Sequence, residues 1–130
     1  MADLSPAQAV EALYEALTEG RYDDARALLH PDYRSHTQPH EVSPDALVAE
    51  IESVKAVMGS LERKTWFTME QGDMGVIFHR TEGIDRETGD PIAWRSADFF
   101  RMGDDGLLHE HWDALTFDGE DLFDTVEVDA

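Results

Sequence analysis

An α+β domain is what this sequence predicts, and three observations carry that reading. Three segments with apolar residues at helical spacing fall before residue 60. Four extended segments rich in β-branched and aromatic residues follow, divided by Gly/Asp turns. One short extended segment interrupts the helices, so the order is α-α-β-α-β-β-β-β. Helices and strands segregated in this way pack as helices on one face of a sheet rather than alternating through it.

The first helix starts at Ser5, a capping residue, with Pro6 in its first turn. Ala9, Leu13, Ala16 and Leu17 recur along one side until Gly20, and Tyr14 sits inside the helix. A second helix is expected from Tyr22 to Leu29, with Ala25, Leu28 and Leu29 as its apolar side, stopping before Pro31. A strand over Tyr33 to Thr37 follows. Ser43-Pro44-Asp45 repeats the capping pattern, with an acid near the positive end of the helix dipole. Leu47, Ile51, Val54 and Val57-Met58 make a third helix that ends at Gly59. The turns Gly72 to Gly75, Thr88 to Pro91 and Gly103 to Gly106 then divide strands at 62–71, 75–84, 92–102 and 107–116, close enough in sequence to be antiparallel neighbours. Residues 118–130 carry six acids and no base, and read as an acidic tail with one helical turn near Leu122. One domain over residues 1–117 suits a chain of 130 residues.

Bulk composition excludes several classes. Acidic residues number 29 against 10 basic ones, a formal charge of −19, so the phosphates of nucleic acid would meet no basic surface. The chain has no cysteine, which removes disulfides, thiolate zinc sites and cysteine nucleophiles. No apolar run approaches the roughly 20 residues of a membrane helix, and the first thirty residues carry acid where a secretory signal carries base. No membrane partner and a cytoplasmic location are expected. An acidic surface with only Lys55 and Lys64 as lysines also fits a salty cytoplasm, where screening weakens self-repulsion.

Asp98-Phe99-Phe100-Arg101, the Asp105-Gly106 turn, Glu110-His111-Trp112-Asp113 and the segment His30-Pro31-Asp32-Tyr33-Arg34-Ser35-His36 carry a family resemblance. In this order they resemble a SnoaL-like polyketide cyclase of the nuclear transport factor 2 superfamily, over about residues 6 to 117. That resemblance implies a cystatin-like cone: a strongly curved antiparallel sheet, three N-terminal helices closing its concave side, an internal pocket, and often an outer face that forms a homodimer. The scaffold hosts cyclases, aldol-type enzymes, ketosteroid isomerase, epoxide hydrolases and proteins without catalysis, so function rests on the pocket.

Alternation in the last strand sets His109, His111, Asp113 and Leu115 on one face and Glu110, Trp112 and Ala114 on the other. Similarity to ketosteroid isomerase implies that Asp98, Phe100, His111, Asp113 and Leu115 face inward and Trp112 outward. Asp113 and His111 would share a partly apolar cavity where each shifts the other's acidity. By resemblance to the cyclases, Asp113 matches the aspartate acting as general acid/base, without metal or other cofactor. The plain structural alternative is a hydrogen-bonded His-Asp pair that shapes the sheet. Asp98 and Tyr14 match the isomerase's oxyanion-binding aspartate and tyrosine; alternatively Tyr14 packs on the sheet and Asp98 pairs with Arg80 or Arg95. The isomerase's general-base position falls near His36-Thr37, with no acid between Asp32 and Glu41. The base is then Asp113 or His36.

His36 and His40 are four residues apart, but His36 falls on an expected strand, so with His111 and Asp113 they do not make the helical zinc motif and no metal is expected. His79 and Arg80 lie on opposite faces of one strand, and either could enter the cone. Trp66, Phe78, Trp94, Phe100 and Leu115 would supply apolar walls, with Arg80 a further contact, for a small hydrophobic ligand. The function expected is acid/base catalysis of cyclase, aldol or isomerase type on a hydrophobic carbonyl compound. A non-catalytic binding or dimerisation module is the alternative. Epoxide hydrolysis is a third reading, through an Asp-Arg-Asp set of Asp98, Arg80 or Arg95, and Asp113.

Overall fold

The structure, a computed structural model, describes residues 3–36 and 42–118. Its elements are α1 (Pro6–Glu19), α2 (Tyr22–Ala27), β1 (Leu29–Ser35), α3 (Pro44–Val57), β2 (Met58–Gln71), β3 (Met74–Asp85), β4 (Pro91–Met102) and β5 (Leu108–Phe117). Thr37, His40 and the turn expected near Leu122 lie outside the described residues.

Capping works as the residue types suggest. The Ser5 hydroxyl accepts from the Gln8 N–H while the Gln8 side chain accepts from the Ser5 N–H, and Gly20 closes α1 in the left-handed region at φ 79°. Ser43 accepts from the Ala46 N–H at the start of α3. Along α1, Ala9, Val10, Leu13, Ala16 and Leu17 are buried. Each large one stabilises the fold by about 1.5–3 kcal/mol through the apolar surface it removes from water.

Two boundaries differ from expectation. The second helix stops at Ala27, because Leu29 leaves it to pair with Leu108, and the first strand begins there instead of at Tyr33. Pro31 disfavours helix just before it, so the backbone is already extended. The third helix ends at Val57 and β2 begins at Met58, four residues before the expected start. Ser60 turns through φ 53° beside a register shift between Gly59 and Glu62, which lets the chain pass from helix to sheet without a loop.

Among the described residues the five strands form one sheet, in the order β1-β5-β4-β3-β2. The four long strands are antiparallel neighbours, and β1 joins the edge parallel to β5. All three helices pack on one face. Between that face and the helices lies a core of Val10, Leu13, Leu17, Tyr33, Val48, Ile77, Phe100 and Leu108. The N-terminus of α1 approaches β3 at Gly75, where a Cβ atom would stand 2.6 Å from the backbone of Pro6. Asp118, the first residue of the expected tail, is held: its N–H donates to the Ala93 carbonyl and its carboxylate receives two bonds from Arg80.

Candidate functional site

A cavity of about 260 Å³ opens between the concave face of the sheet and helices α1 and α3. Its outer half is apolar, with Leu47, Ile51, Val54, Leu61, Trp94 and Leu115. Its inner end is polar, with Tyr14, Arg63, His79, Ser96, Asp98, His111 and Asp113. Strand register builds that end. Asp98 on β4 lies opposite Asp113 on β5, and Ser96 lies opposite His79 on β3.

Asp98 is the centre of a buried network. Its Oδ1 is 2.6 Å from His111 Nε2; its Oδ2 is 2.6 Å from His79 Nε2 and 2.7 Å from the Ser96 hydroxyl, which donates to it. Burial alone would raise the pKa of Asp98, but hydrogen bonds from His111 and His79 outweigh it and hold the carboxyl well below its ordinary value. Asp98 is therefore a carboxylate, which accepts hydrogen bonds and has none to donate to an oxyanion. His111 is held on its other side by the Tyr33 hydroxyl, 3.3 Å from Nδ1, and its ring stacks on Phe100 at 4.3 Å.

Asp113 differs from its cross-strand partner. Burial, and then the negative charge of Asp98, push its pKa up, with His111 opposing in part. Its Oδ2 lies 3.6 Å from His111 Nε2, and its side chain keeps 23% of its surface accessible at the cavity wall. Tyr14 is driven well above the ordinary phenol value, by burial first and then by the Asp98 charge, so its O–H remains a donor.

The structure brings together Tyr14, Trp94, Asp98, His111, Asp113 and Leu115. Other expected residues fall elsewhere. His36 points to the convex side, away from the cavity, where it bonds Glu110 at 2.8 Å and stacks on Trp112. His79, not Arg80, enters the cavity; Arg80 is on the convex face with Asp118. Asp98 consequently pairs with histidines and Ser96 rather than with Arg80 or Arg95. Trp66 and Phe78 stack on each other on the convex face, away from the cavity. Phe100 is fully buried beneath the site, against His111 and Tyr14. His109 leaves the face of His111 because the register shifts between Arg101 and Met102; it stacks on His30 and bonds Asp105. With Arg80 and Arg95 both outside, the Asp-Arg-Asp set of the epoxide-hydrolase reading does not assemble.

Ser96 and Arg63 escaped the sequence reading. Alternation back from Asp98 points to Ser96, whereas Arg63 is placed by a β2–β3 register that no local signal encodes.

Asp98, His111 and Asp113 offer ligand atoms within 4.8 Å of one another, a spacing that a cation could bridge. The donor set does not fit one. Asp98 already accepts from two imidazoles and a hydroxyl, and His111 Nε2 is committed to Asp98 Oδ1, so a metal would have to displace the His111–Asp98 bond.

Among curated protein sequences none matches this chain significantly. Solved structures share the fold. IdmH of Streptomyces antibioticus, a candidate polyketide cyclase, matches with a TM-score of 0.73 and 19% identity, over 86% of this chain and 92% of that one. A nuclear transport factor 2-like protein from Burkholderia thailandensis gives 0.73 and 19%, over 87% and 92%. RV0760c of Mycobacterium tuberculosis, in complex with estradiol-17β-hemisuccinate, gives 0.72 and 15%, over 88% and 100%. At these identities the likeness concerns fold alone. The SnoaL-like domain signature, however, matches residues 10–111, and the chain belongs to the SnoaL-like domain family.

Proposed function

We propose that the cavity binds a small hydrophobic carbonyl compound and that Asp113 moves a proton α to the carbonyl, by general acid/base catalysis in a cyclase, aldol or isomerase reaction. The observation that supports this most is the divergence of two opposed carboxyls in one cavity: Asp98 held low, Asp113 pushed up. Environments that separate paired groups in this way assign them different roles. Asp98 is a fixed anion, and Asp113 is the one suited to take up and return a proton.

In this reading the Asp113 carboxylate takes the α-proton and the electron pair of the C–H bond becomes an enolate. The enolate oxygen accepts a hydrogen bond from the Tyr14 O–H. The enolate carbon then attacks a second carbonyl, whose oxygen receives the proton from Asp113, or it is reprotonated elsewhere as the isomer. Leu47, Ile51, Val54 and Trp94 hold the ligand body by apolar contact.

α-Proton exchange tests this without knowledge of the product. Cyclic and polycyclic ketones incubated with the protein in D₂O, followed by NMR, should lose α-C–H signal faster than the buffer background. Asp113→Asn should slow that exchange by about 10²–10⁴-fold, the usual contribution of general acid/base catalysis. The apolar outer half of the cavity also supports a second reading, non-catalytic ligand binding. Ketones that quench Trp94 fluorescence without any exchange would favour it and end the catalytic one.

The convex face is assigned to a homodimer interface in the same proposal. Phe67 and Phe99 are exposed there, beside Phe78 and Trp112.

A further inference from the structure

Arg63 projects from β2 into the polar end of the cavity and takes no part in the proton transfer proposed above. Its side chain is 8% exposed. Nη1 lies 2.8 Å from the Thr65 hydroxyl and 3.1 Å from His79 Nδ1, and Nε lies 3.4 Å from the Thr18 hydroxyl. Glu11 on α1 balances the charge, 3.6 Å from Nη2, and itself accepts from Thr65. The guanidinium sits over the Tyr14 ring, 5.6 Å from its centre.

An arginine has donors and no acceptor, and it keeps its charge at any pH a folded protein meets. A nitrogen 3.1 Å from Nη1 in a bonding geometry must therefore present a lone pair. That requirement fixes the proton of His79. An imidazolium would set N–H against N–H beside a like charge. The Nδ1–H tautomer would do the same, and would turn the Nε2 lone pair toward the Asp98 carboxylate at 2.6 Å. Only the neutral Nε2–H form makes both contacts favourable.

We propose that Arg63 is a positioning residue that fixes His79 as the neutral Nε2–H tautomer, so that the single ring proton is committed to Asp98. The groups around His79 agree with this order: Tyr14 from α1, Arg63 from β2, Asp98 from β4, and His111 and Asp113 from β5, with Glu11 of α1 behind Arg63. A line of polar contacts then runs from Glu11 through Arg63, neutral His79 and anionic Asp98 to His111. The line spans the sheet from β2 to β5 and ends beside Asp113. The purpose of a fixed anion at Asp98 rests on the proton-transfer reading; the tautomer itself does not.

The test is ¹⁵N NMR of the protein labelled at its histidine rings, at neutral pH and without ligand, with His79 assigned by loss of its signals in His79→Gln. An unprotonated Nδ1 and a protonated Nε2 are expected for His79. Arg63→Met should abolish that pattern through protonation at Nδ1 or exchange between tautomers, and Arg63→Lys, which also only donates, should restore it. A protonated Nδ1 in the unmodified protein overturns the proposal, as does an unchanged pattern in Arg63→Met. Should Arg63→Met fail to fold, the unmodified protein and Arg63→Lys still decide. The readout needs no turnover, so absent ketone exchange with the expected tautomer would end the catalytic reading and leave this one standing.

Discussion

Two aspartates facing each other across β4 and β5 show how environment sets acidity, and stability inherits opposite signs from them. Asp98 has a depressed pKa in the folded protein. Its contribution is therefore present above the unfolded value of about 3.9 and is lost as pH falls toward the folded one. Asn at this position could accept one imidazole N–H through its oxygen, but its amide would set N–H against the other ring. Asp98→Asn should destabilise the protein by about 3–5 kcal/mol, the scale for breaking a buried charged network, as read from urea unfolding. Asp113 has a raised pKa, so the native state holds its proton to higher pH than the unfolded chain does. Stability falls as pH rises from about 3.9 through the folded value, and above it the full penalty for the buried charge remains. Asp113→Asn removes that penalty. Its melting temperature at neutral pH should exceed that of the unmodified protein, with the difference vanishing below about pH 3.9. A variant that loses exchange activity yet melts higher marks a site where function is held against stability. A lower melting temperature at neutral pH would instead make Asp113 a structural partner.

At the scale of elements, the site depends on how α1 lies across the sheet, because α1 carries Tyr14 and Glu11. Gly75 permits that approach: a methyl group would meet the carbonyl carbon and oxygen of Pro6 at 2.6 Å, and backbone cannot swing aside as a side chain can. Gly75→Ala should destabilise by about 1–3 kcal/mol, the range for overpacking, and should weaken ligand binding through the displaced Tyr14; thermal melts and Trp94 quenching measure the two. An unchanged melt would mean that α1 is not seated there. The elements were largely legible in the sequence, since caps, Gly/Asp turns and periodicity are local signals. Within β5, alternation alone placed His111, Asp113 and Leu115 on one face. Faces that depend on a bulge or on another strand were not legible. A register shift between Thr65 and Phe67 sends both Trp66 and Phe67 to the convex side, another displaces His109, and parallel pairing of β1 with β5 turns His36 outward. The Asp98 network needs β2, β3, β4 and β5 in register at once. No single segment of the sequence records that.

For the molecule as a whole, the distribution of apolar surface and charge argues for association through the convex face. Phe99 lies on β4 between Val76 and Trp112 and keeps 37% of its surface exposed, and Phe67 keeps 47%. Two aromatic rings left to water beside Phe78 and Trp112 form a patch that a second copy of the same surface can cover, with the symmetry of a two-fold dimer. Against this stands a net charge of −19 on each protomer. The repulsion between two such bodies acts over roughly 10 Å at 0.1 M salt and over about 3 Å at 1 M, whereas apolar burial is not screened. Dimerisation should therefore tighten as salt rises, the reverse of an interface held by opposite charges. Sedimentation at low and high salt should show the dimer fraction growing with ionic strength. Phe99→Glu, an outward position at which the fold has little to lose, should leave a monomer at both salts with its melting temperature close to that of the unmodified monomer. A dimer that persists in Phe99→Glu would move the interface off this face. A dimer that dissociates as salt rises would mean that charge pairs, not the aromatic patch, hold it.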